Sequence, residues 1–404
     1  MCHLMKLTQL LTLALIIALV ACGPATTLTP PPTSILPTPI SLALTPLPVA
    51  TSVPTPTSFA NSATLDAKQL GTDLDSMMQK ITKAGLFSGA VLVAQNGQVI
   101  LSKGYGLADR EKKTPNTAQT KFRIASITKQ FTAMAIMLLQ EQGKLNVQDK
   151  ICKYLKDCPA TWQSITIYQL LTHTSGIPNT TGMFYMEGIT LSRSLEQTIA
   201  DAKARPLAFR PGEKWSYSHT GYNLLGKIIE AASGESYDSF LQKNIFWPLE
   251  MSSTGYNLDQ SDLAVGYPDQ FNPAHEINLS DPYSAAGLYS TAEDLYRWDQ
   301  ALYTDRLVPQ KTLDMIFAAQ VQVPNRGGIG YGYGWMTAPP EQGHIVFHFG
   351  GIVGFTSFIG RYLDAKATII ILTNQGDVDP SATGDLIYKK LFGVQQTVDL
   401  KGFY

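Results

Sequence analysis

The sequence predicts an α+β fold in which strands from the N- and C-terminal parts of a globular region form one antiparallel sheet. Helices flank that sheet, and an α-rich inserted subdomain separates its two halves. Three observations predict this arrangement. Residues 90–94 (Ala-Val-Leu-Val-Ala) and 99–102 (Val-Ile-Leu-Ser) flank Asn96-Gly97, the turn chemistry of a tight β-hairpin. Comparable β-rich runs return only at the far end, over 344–349, 354–361 and 367–373. The stretch between them reads as helix and loop, so a functional cleft is expected where the insertion meets the sheet.

Lys6 precedes an apolar run from Leu10 to Val20 that ends in Leu19-Val20-Ala21-Cys22. About eleven residues are too few to span a bilayer and suit the apolar region of an export signal. A small residue before the cysteine resembles the bacterial lipoprotein cleavage box, which implies that Cys22 is lipidated and anchors the chain to a membrane, outside the cytoplasm. An ordinary secretory leader followed by an incidental cysteine is the alternative. From Gly23 to Ser62 there are ten prolines and no charged residue. Such a segment favours extended polyproline conformations and serves as a spacer of roughly 3.1 Å per residue. The expected organisation is a leader over 1–21, a tether over 22–62, a globular domain over 63–396 and a short tail over 397–404.

The whole chain has 404 residues, 44% of them hydrophobic, enough for a sizeable core in one large or two interleaved units. Its 31 basic and 32 acidic residues are interspersed and leave a net charge of -1, without a basic patch for a phosphate backbone. Nucleic acid is not an expected partner.

Leu70, Leu74, Met77, Met78 and Ile81 recur at helical spacing and place a first helix over 70–84, before the hairpin. Next comes Phe122-Arg123-Ile124-Ala125-Ser126-Ile127-Thr128-Lys129, opening a long amphipathic stretch rich in Ala, Met and Leu that stops near Gly143. Residues three apart share a helix face, so Lys129 is expected beneath Ser126 in the first turn. Burial and the positive end of the helix dipole both disfavour an ammonium there, making a neutral amine available to activate the hydroxyl. The spacing alone also arises by chance.

Cys152 and Cys158 are expected to form a disulfide, since an exported chain meets an oxidising environment; two free buried thiols are the alternative. Phe209-Arg210-Pro211-Gly212-Glu213-Lys214-Trp215-Ser216-Tyr217-Ser218-His219 places a Pro-Gly turn ahead of a Tyr-x-His, followed by a helix over 222–232. The run from Gly327 to Trp335 reads as an aromatic-rich strand or loop, since it fits no phosphate-cradling pattern. His344 and His348, four apart on an expected strand, lie roughly 13 Å from each other, too far to share a metal ion. His173 is expected to cap or pack at a helix end, with a site role as the alternative. A helix over 381–391 closes the globular part.

Ser126-x-x-Lys129, Tyr217-x-His219 and His348-Phe349-Gly350-Gly351 occur in an order that resembles the serine β-lactamase and penicillin-binding-protein superfamily. The likeness is strongest to the branch of class C β-lactamases, D-alanyl-D-alanine carboxypeptidases and related esterases. It runs from about Leu70 to about Phe392 and includes Leu170-Leu171-Thr172-His173-Thr174-Ser175-Gly176 and Ser284-Ala285-Ala286-Gly287-Leu288-Tyr289-Ser290-Thr291. The resemblance implies a β-lactamase/transpeptidase-like fold and an acyl-enzyme on Ser126. It also implies a proton-relay pair of Lys129 and Tyr217, with either as the base, an oxyanion hole from the N–H groups of Ser126 and Gly351, and substrate contacts from His219, His348, Phe349 and Gly350. No cofactor or metal is implied.

Two departures shape the expected substrate. The family's second motif is usually Tyr-x-Asn, and here His219 takes the third place. Its β-lactamases carry Lys-Thr-Gly at the third motif, of which His348-Phe349-Gly350 keeps only the glycine. Losing a fixed cation and a hydroxyl disfavours substrates with a carboxylate, so ester or amide hydrolysis is expected ahead of β-lactam hydrolysis or carboxypeptidase action. The expected ligands are small esters or amides, or peptidoglycan-related peptides. A true β-lactamase is an alternative within the same chemistry. The alternative from another class is a non-catalytic envelope protein that binds peptidoglycan peptides.

Overall fold

The computed structural model describes residues 67–180, 193–256, 263–269, 272–275 and 278–394. The export signal, the tether, Cys22 and the C-terminal tail lie outside them. Along the described chain run helix α1 (Ala67–Lys83), then strands β1 (Gly89–Gln95), β2 (Gln98–Tyr105), β3 (Leu107–Asp109), β4 (Thr114–Pro115) and β5 (Phe122–Arg123). Helices α2 (Thr128–Glu141), α3 (Ile167–Leu171), α4 (Leu195–Ala204), α5 (His219–Ser233), α6 (Tyr237–Leu241) and α7 (Tyr283–Ala286) follow. Strand β6 (Tyr289–Ser290), helices α8 (Ala292–Ala301) and α9 (Gln310–Phe317), and strands β7 (Val321–Gln322), β8 (Gly330–Tyr331) and β9 (Met336–Thr337) come next. The described chain ends with β10 (Ile345–Ile352), β11 (Phe355–Tyr362), β12 (Ala367–Thr373) and helix α10 (Pro380–Phe392).

Eight of the described strands form one antiparallel sheet in the order β2-β1-β12-β11-β10-β9-β8-β7. The N-terminal hairpin joins the C-terminal strands through β1 and β12, with Val91 opposite Ile371. The expected α+β class, with one sheet built from both ends of the globular part, is what the structure shows. Both faces of the sheet are covered, which is why β12 is an unbroken apolar run. Ile369 and Ile371 point into a core with Leu74, Met78 and Ile387 of α1 and α10. Ile370 and Leu372 point the other way, into a core with Phe131, Leu225 and Trp298. Between β5 and β6 the described chain holds helices, loops and isolated bridges only.

Helix α2 differs from its expected amphipathic form. Every residue from Thr128 to Leu139 is buried. Its polar side chains find partners inside: Gln130 accepts from Trp298 Nε1 at 3.0 Å, and Thr132 Oγ1 lies 2.7 Å from both the Tyr237 hydroxyl and the Ser284 carbonyl. A helix enclosed on all sides needs no polar stripe, so its few hydroxyls and amides carry internal contacts instead.

Candidate active site

Ser126 does not sit in the first turn of α2 as expected. It lies one step earlier, in a 3-10 turn spanning Ala125–Ile127 that runs directly into the helix. Ala125 takes φ 45°, a left-handed conformation that a residue with a Cβ adopts only at a cost of about 1–3 kcal/mol. The turn is pinned from the sheet: Ser357 Oγ on β11 donates to the Ile124 carbonyl at 2.9 Å. Strand β10 closes on the same turn through Gly350, where an added Cβ would stand 2.4 Å from the Ile124 carbonyl oxygen. Gly350 therefore serves close backbone packing under the serine, a role distinct from the substrate contact expected for it.

The lysine reaches the serine as the three-residue spacing requires. Lys129 Nζ lies 3.1 Å from Ser126 Oγ and donates to the Ala285 carbonyl at 2.9 Å. That carbonyl is itself held in place, because Asn223 on α5 accepts from Ala285 N–H at 3.2 Å and donates to the Asp281 carbonyl at 2.6 Å. Lys129 is fully enclosed, and among the described residues no carboxylate lies within 4.0 Å of its amine. Burial holds that amine well below the ordinary lysine range.

Tyr217 completes the group. Its ring centroid lies 4.7 Å from Lys129 Nζ, and its hydroxyl is close enough to Ser126 to feel it. Burial pushes the phenol above its usual range, and the contact with Ser126 pulls weakly the other way. Serine, lysine and tyrosine, drawn from two distant segments, thus come together.

Three histidines surround them, each driven toward the neutral form chiefly by burial. His348 falls to about 3, while His173 and His219 lie well below the usual imidazole range. His348 Nδ1 is 2.6 Å from the Phe349 carbonyl, which can only accept, so the ring carries its proton there. Its Nε2 is then an acceptor for the Tyr331 hydroxyl at 3.2 Å. His219, the first residue of α5, donates its backbone N–H to Asn179 Oδ1 at 3.2 Å. Its ring centroid is 5.3 Å from that of Tyr217. Phe349 is buried on β10 against Phe347 and Phe358, facing the core on the far side of the sheet and not the serine. That placement corrects its expected part in substrate binding. His344 precedes β10 and bonds the exposed Asp364 through Nδ1 at 2.7 Å, apart from the site.

Gly351 is placed by strand register. Thr356, its partner across β10 and β11, turns its N–H toward Thr373 Oγ1 on β12 at 3.3 Å. Gly351 and Thr356 are therefore a non-hydrogen-bonded pair, and the Gly351 N–H points away from β11. On that side β9 pairs β10 only at Val346 and Phe347, which leaves the edge beside Gly351 unpaired by β9.

A model of the Beta-lactamase family matches residues 74–393. The chain belongs to that family. Members of this superfamily are serine hydrolases. Within it, the chain is 34% identical over 324 residues to Penicillin-binding protein 4* of Bacillus subtilis (strain 168), covering 75% of this chain and 71% of that one. It is 32% identical over 320 residues to Protein flp of Staphylococcus aureus (strain NCTC 8325 / PS 47), covering 74% of this chain. It spans only 62% of that relative's length. Among solved structures, an octameric penicillin-binding protein homologue from Pyrococcus abyssi superposes with a TM-score of 0.70 at 30% identity, covering 81% of this chain and 78% of that chain. D-amino acid amidase from Ochrobactrum anthropi SV3 shares the fold, with a TM-score of 0.72 at 23% identity over 80% of this chain and 99% of the other.

Family motifs do not account for every residue of the site. Tyr331 and Trp215 reach it by packing, and no motif spacing announces either. An aromatic inside the glycine-rich run from Gly327 to Trp335 was the available signal for Tyr331, since such a run lets one large ring turn inward. The expected disulfide is present: Cys152 and Cys158 are bonded, with Cα atoms 5.4 Å apart.

Proposed function

We propose that this protein hydrolyses esters or amides through an acyl-enzyme on Ser126, with a substrate whose acyl part bears no free carboxylate. The observation that carries the reading is the enclosed Lys129 amine, 3.1 Å from Ser126 Oγ and without a carboxylate partner among the described residues. A neutral amine keeps a lone pair for the serine proton while its own N–H still donates to the Ala285 carbonyl. Ser126 Oγ attacks the carbonyl carbon as its proton passes to Lys129, and the developing oxyanion meets the N–H groups of Ser126 and Gly351. The proton then moves through Tyr217 to the leaving group as the carbon–leaving-group bond breaks. Water attacks the ester so formed, gives its proton to the same pair, and Ser126 leaves protonated. Because burial lowers the lysine and raises the phenol, the resting pair is amine plus phenol, with Lys129 as the base and Tyr217 as the acid.

Substrate charge follows from the histidines. His219 and His348 stand where relatives with Tyr-x-Asn and Lys-Thr-Gly carry an amide and a cation, and both are held neutral. Neither supplies the fixed positive charge that recognition of a carboxylate favours.

A fluorescent fluorophosphonate tests the nucleophile: wild type labels and Ser126→Ala does not. A wild-type protein that never labels overturns the catalytic reading in favour of peptide binding alone. Nitrocefin, p-nitrophenyl esters and D-Ala-D-Ala peptides compared side by side test the substrate class, with the esters expected to be turned over best. Faster turnover of nitrocefin would contradict the charge argument.

We infer, as the second half of the proposal, that the enzyme is exported and held at the cell envelope by lipid on Cys22. The Ala21-Cys22 junction supports this, and so does the Cys152–Cys158 bond, since disulfides persist in oxidising compartments. Cys22→Ala should release the protein from membranes or leave its leader uncut. Unchanged membrane fractionation would count against anchoring.

A further inference from the structure

Tyr217 lies on a stretch without regular secondary structure, from Lys214 to Ser218. No strand ladder or helix sets its position, so contacts with a neighbouring segment must. That segment is 173–176, directly after α3. Gly176 accepts from Ala208 N–H at 2.8 Å, Thr174 from Gly212 N–H at 2.7 Å, and His173 from Ser216 N–H at 2.9 Å, all through backbone carbonyls. The approach needs a glycine at 176: its φ is 76°, and an added Cβ would stand 2.1 Å from the Phe209 carbonyl oxygen.

His173 adds a second hold on the same loop. Its Nδ1 accepts from Ser218 N–H at 3.1 Å. The two residues flanking Tyr217 are therefore both bonded to His173, one through its carbonyl and one through its ring. The ring itself packs on the phenol, with centroids 4.5 Å apart. Because Nδ1 accepts, the proton of the neutral ring sits on Nε2, which is buried without a hydrogen-bond partner among the described residues. A side chain serving only as filler would need no acceptor at this spot, and a non-glycine residue at φ 58° is strained unless its surroundings demand it.

We propose that His173 is the positioning residue for Tyr217, setting the phenol against Ser126 through the Ser218 hydrogen bond and the ring contact. This rests on the reading of Ser126, Lys129 and Tyr217 as the catalytic group. It goes beyond the expected helix-end packing of His173, because it makes the ring act on the chemistry through a second residue.

The test uses the full chain and p-nitrophenyl butyrate hydrolysis. His173→Leu removes the acceptor at similar size, whereas His173→Asn offers an Oδ1 near the place of Nδ1 and tolerates a left-handed backbone. The leucine variant should lose on the order of 10²-fold in kcat with KM little changed, the effect of a misplaced catalytic group. Asparagine should restore kcat to within about tenfold of wild type. In a Tyr217→Phe background the leucine substitution should cost little more, since a residue acting through Tyr217 has nothing left to position. Full additivity in that cycle, or an unimpaired leucine variant, would overturn the proposal while leaving the Ser126 reading intact. Should the leucine variant not fold, the asparagine variant decides: activity near wild type upholds the role, and activity at the Tyr217→Phe level refutes it. A wild type that neither labels with fluorophosphonate nor hydrolyses the ester refutes the catalytic reading itself, and the positioning role with it.

Discussion

Arg361 on β11 and Lys129 on α2 are both fully enclosed basic side chains, and their surroundings are opposite. Arg361 Nε lies 2.5 Å from Asp299 Oδ1, and a second nitrogen donates to the Asp299 carbonyl at 3.2 Å. The guanidinium also rests 4.4 Å from the Tyr303 ring centroid. Lys129 has a hydroxyl, a carbonyl and aromatic faces about it, and no carboxylate among the described residues within 4.0 Å. A buried charge persists where a counter-charge meets it and is shed where none does. The first arrangement ties helix α8 to the sheet. The second leaves an amine whose pKa burial lowers.

Exchanging the chemistry of the second side chain gives the largest expected effect. Lys129→Arg places a basic group of similar reach there that cannot release its proton at ordinary pH, so ester hydrolysis per folded molecule should fall on the order of 10³-fold or more. Substantial activity in that variant would show that a permanent positive charge, and not a neutral amine, is what Ser126 needs.

Breaking the first cation's pair acts on stability instead. Asp299→Ala leaves Arg361 buried without its counter-charge and should cost about 3–5 kcal/mol, read as a lower denaturant midpoint. Activity per folded molecule should stay near wild type, because neither partner touches the site. A mild stability loss would mean that the guanidinium is satisfied by its aromatic neighbours.

The smallest effect sharpens the contrast through pH. Folding strips a proton from Lys129, whose pKa falls well below 10.5 on burial, so between the folded and unfolded values the unfolded chain binds one more proton. Stability contributed by this group therefore rises with pH across that window, by up to about 1.4 kcal/mol per pH unit. Lys129→Met lacks the term. It should be the more stable protein at neutral pH, with the difference shrinking as pH rises toward the unfolded value. A wild type that loses stability relative to Lys129→Met on raising the pH would reverse the sign and refute a neutral lysine.

Much of this was legible in the residues. The Asn96-Gly97 turn and the isoleucine run of β12 announce strands because turn chemistry and two-sided burial leave unambiguous patterns. Ser126, Lys129 and Tyr217 were legible by their order and type. What escaped did so for physical reasons. Strands β7, β8 and β9 have two residues each, too few to show any period. The enclosure of α2 depends on neighbours from distant parts of the chain. Phe349 alternates away from the serine because strand residues change face at every step, a parity that only the pairing register reveals. His173 and Tyr331 enter the site through packing, which leaves no trace in local spacing.

The central claim, a neutral Lys129 beside Ser126, is tested most directly by a carbon NMR titration of the lysine ε-methylenes, with Lys129→Arg used to assign the one resonance of interest. The account predicts that this resonance shows the uncharged amine at neutral pH and titrates well below 10.5. A resonance that remains that of an ammonium up to the ordinary lysine range would contradict it.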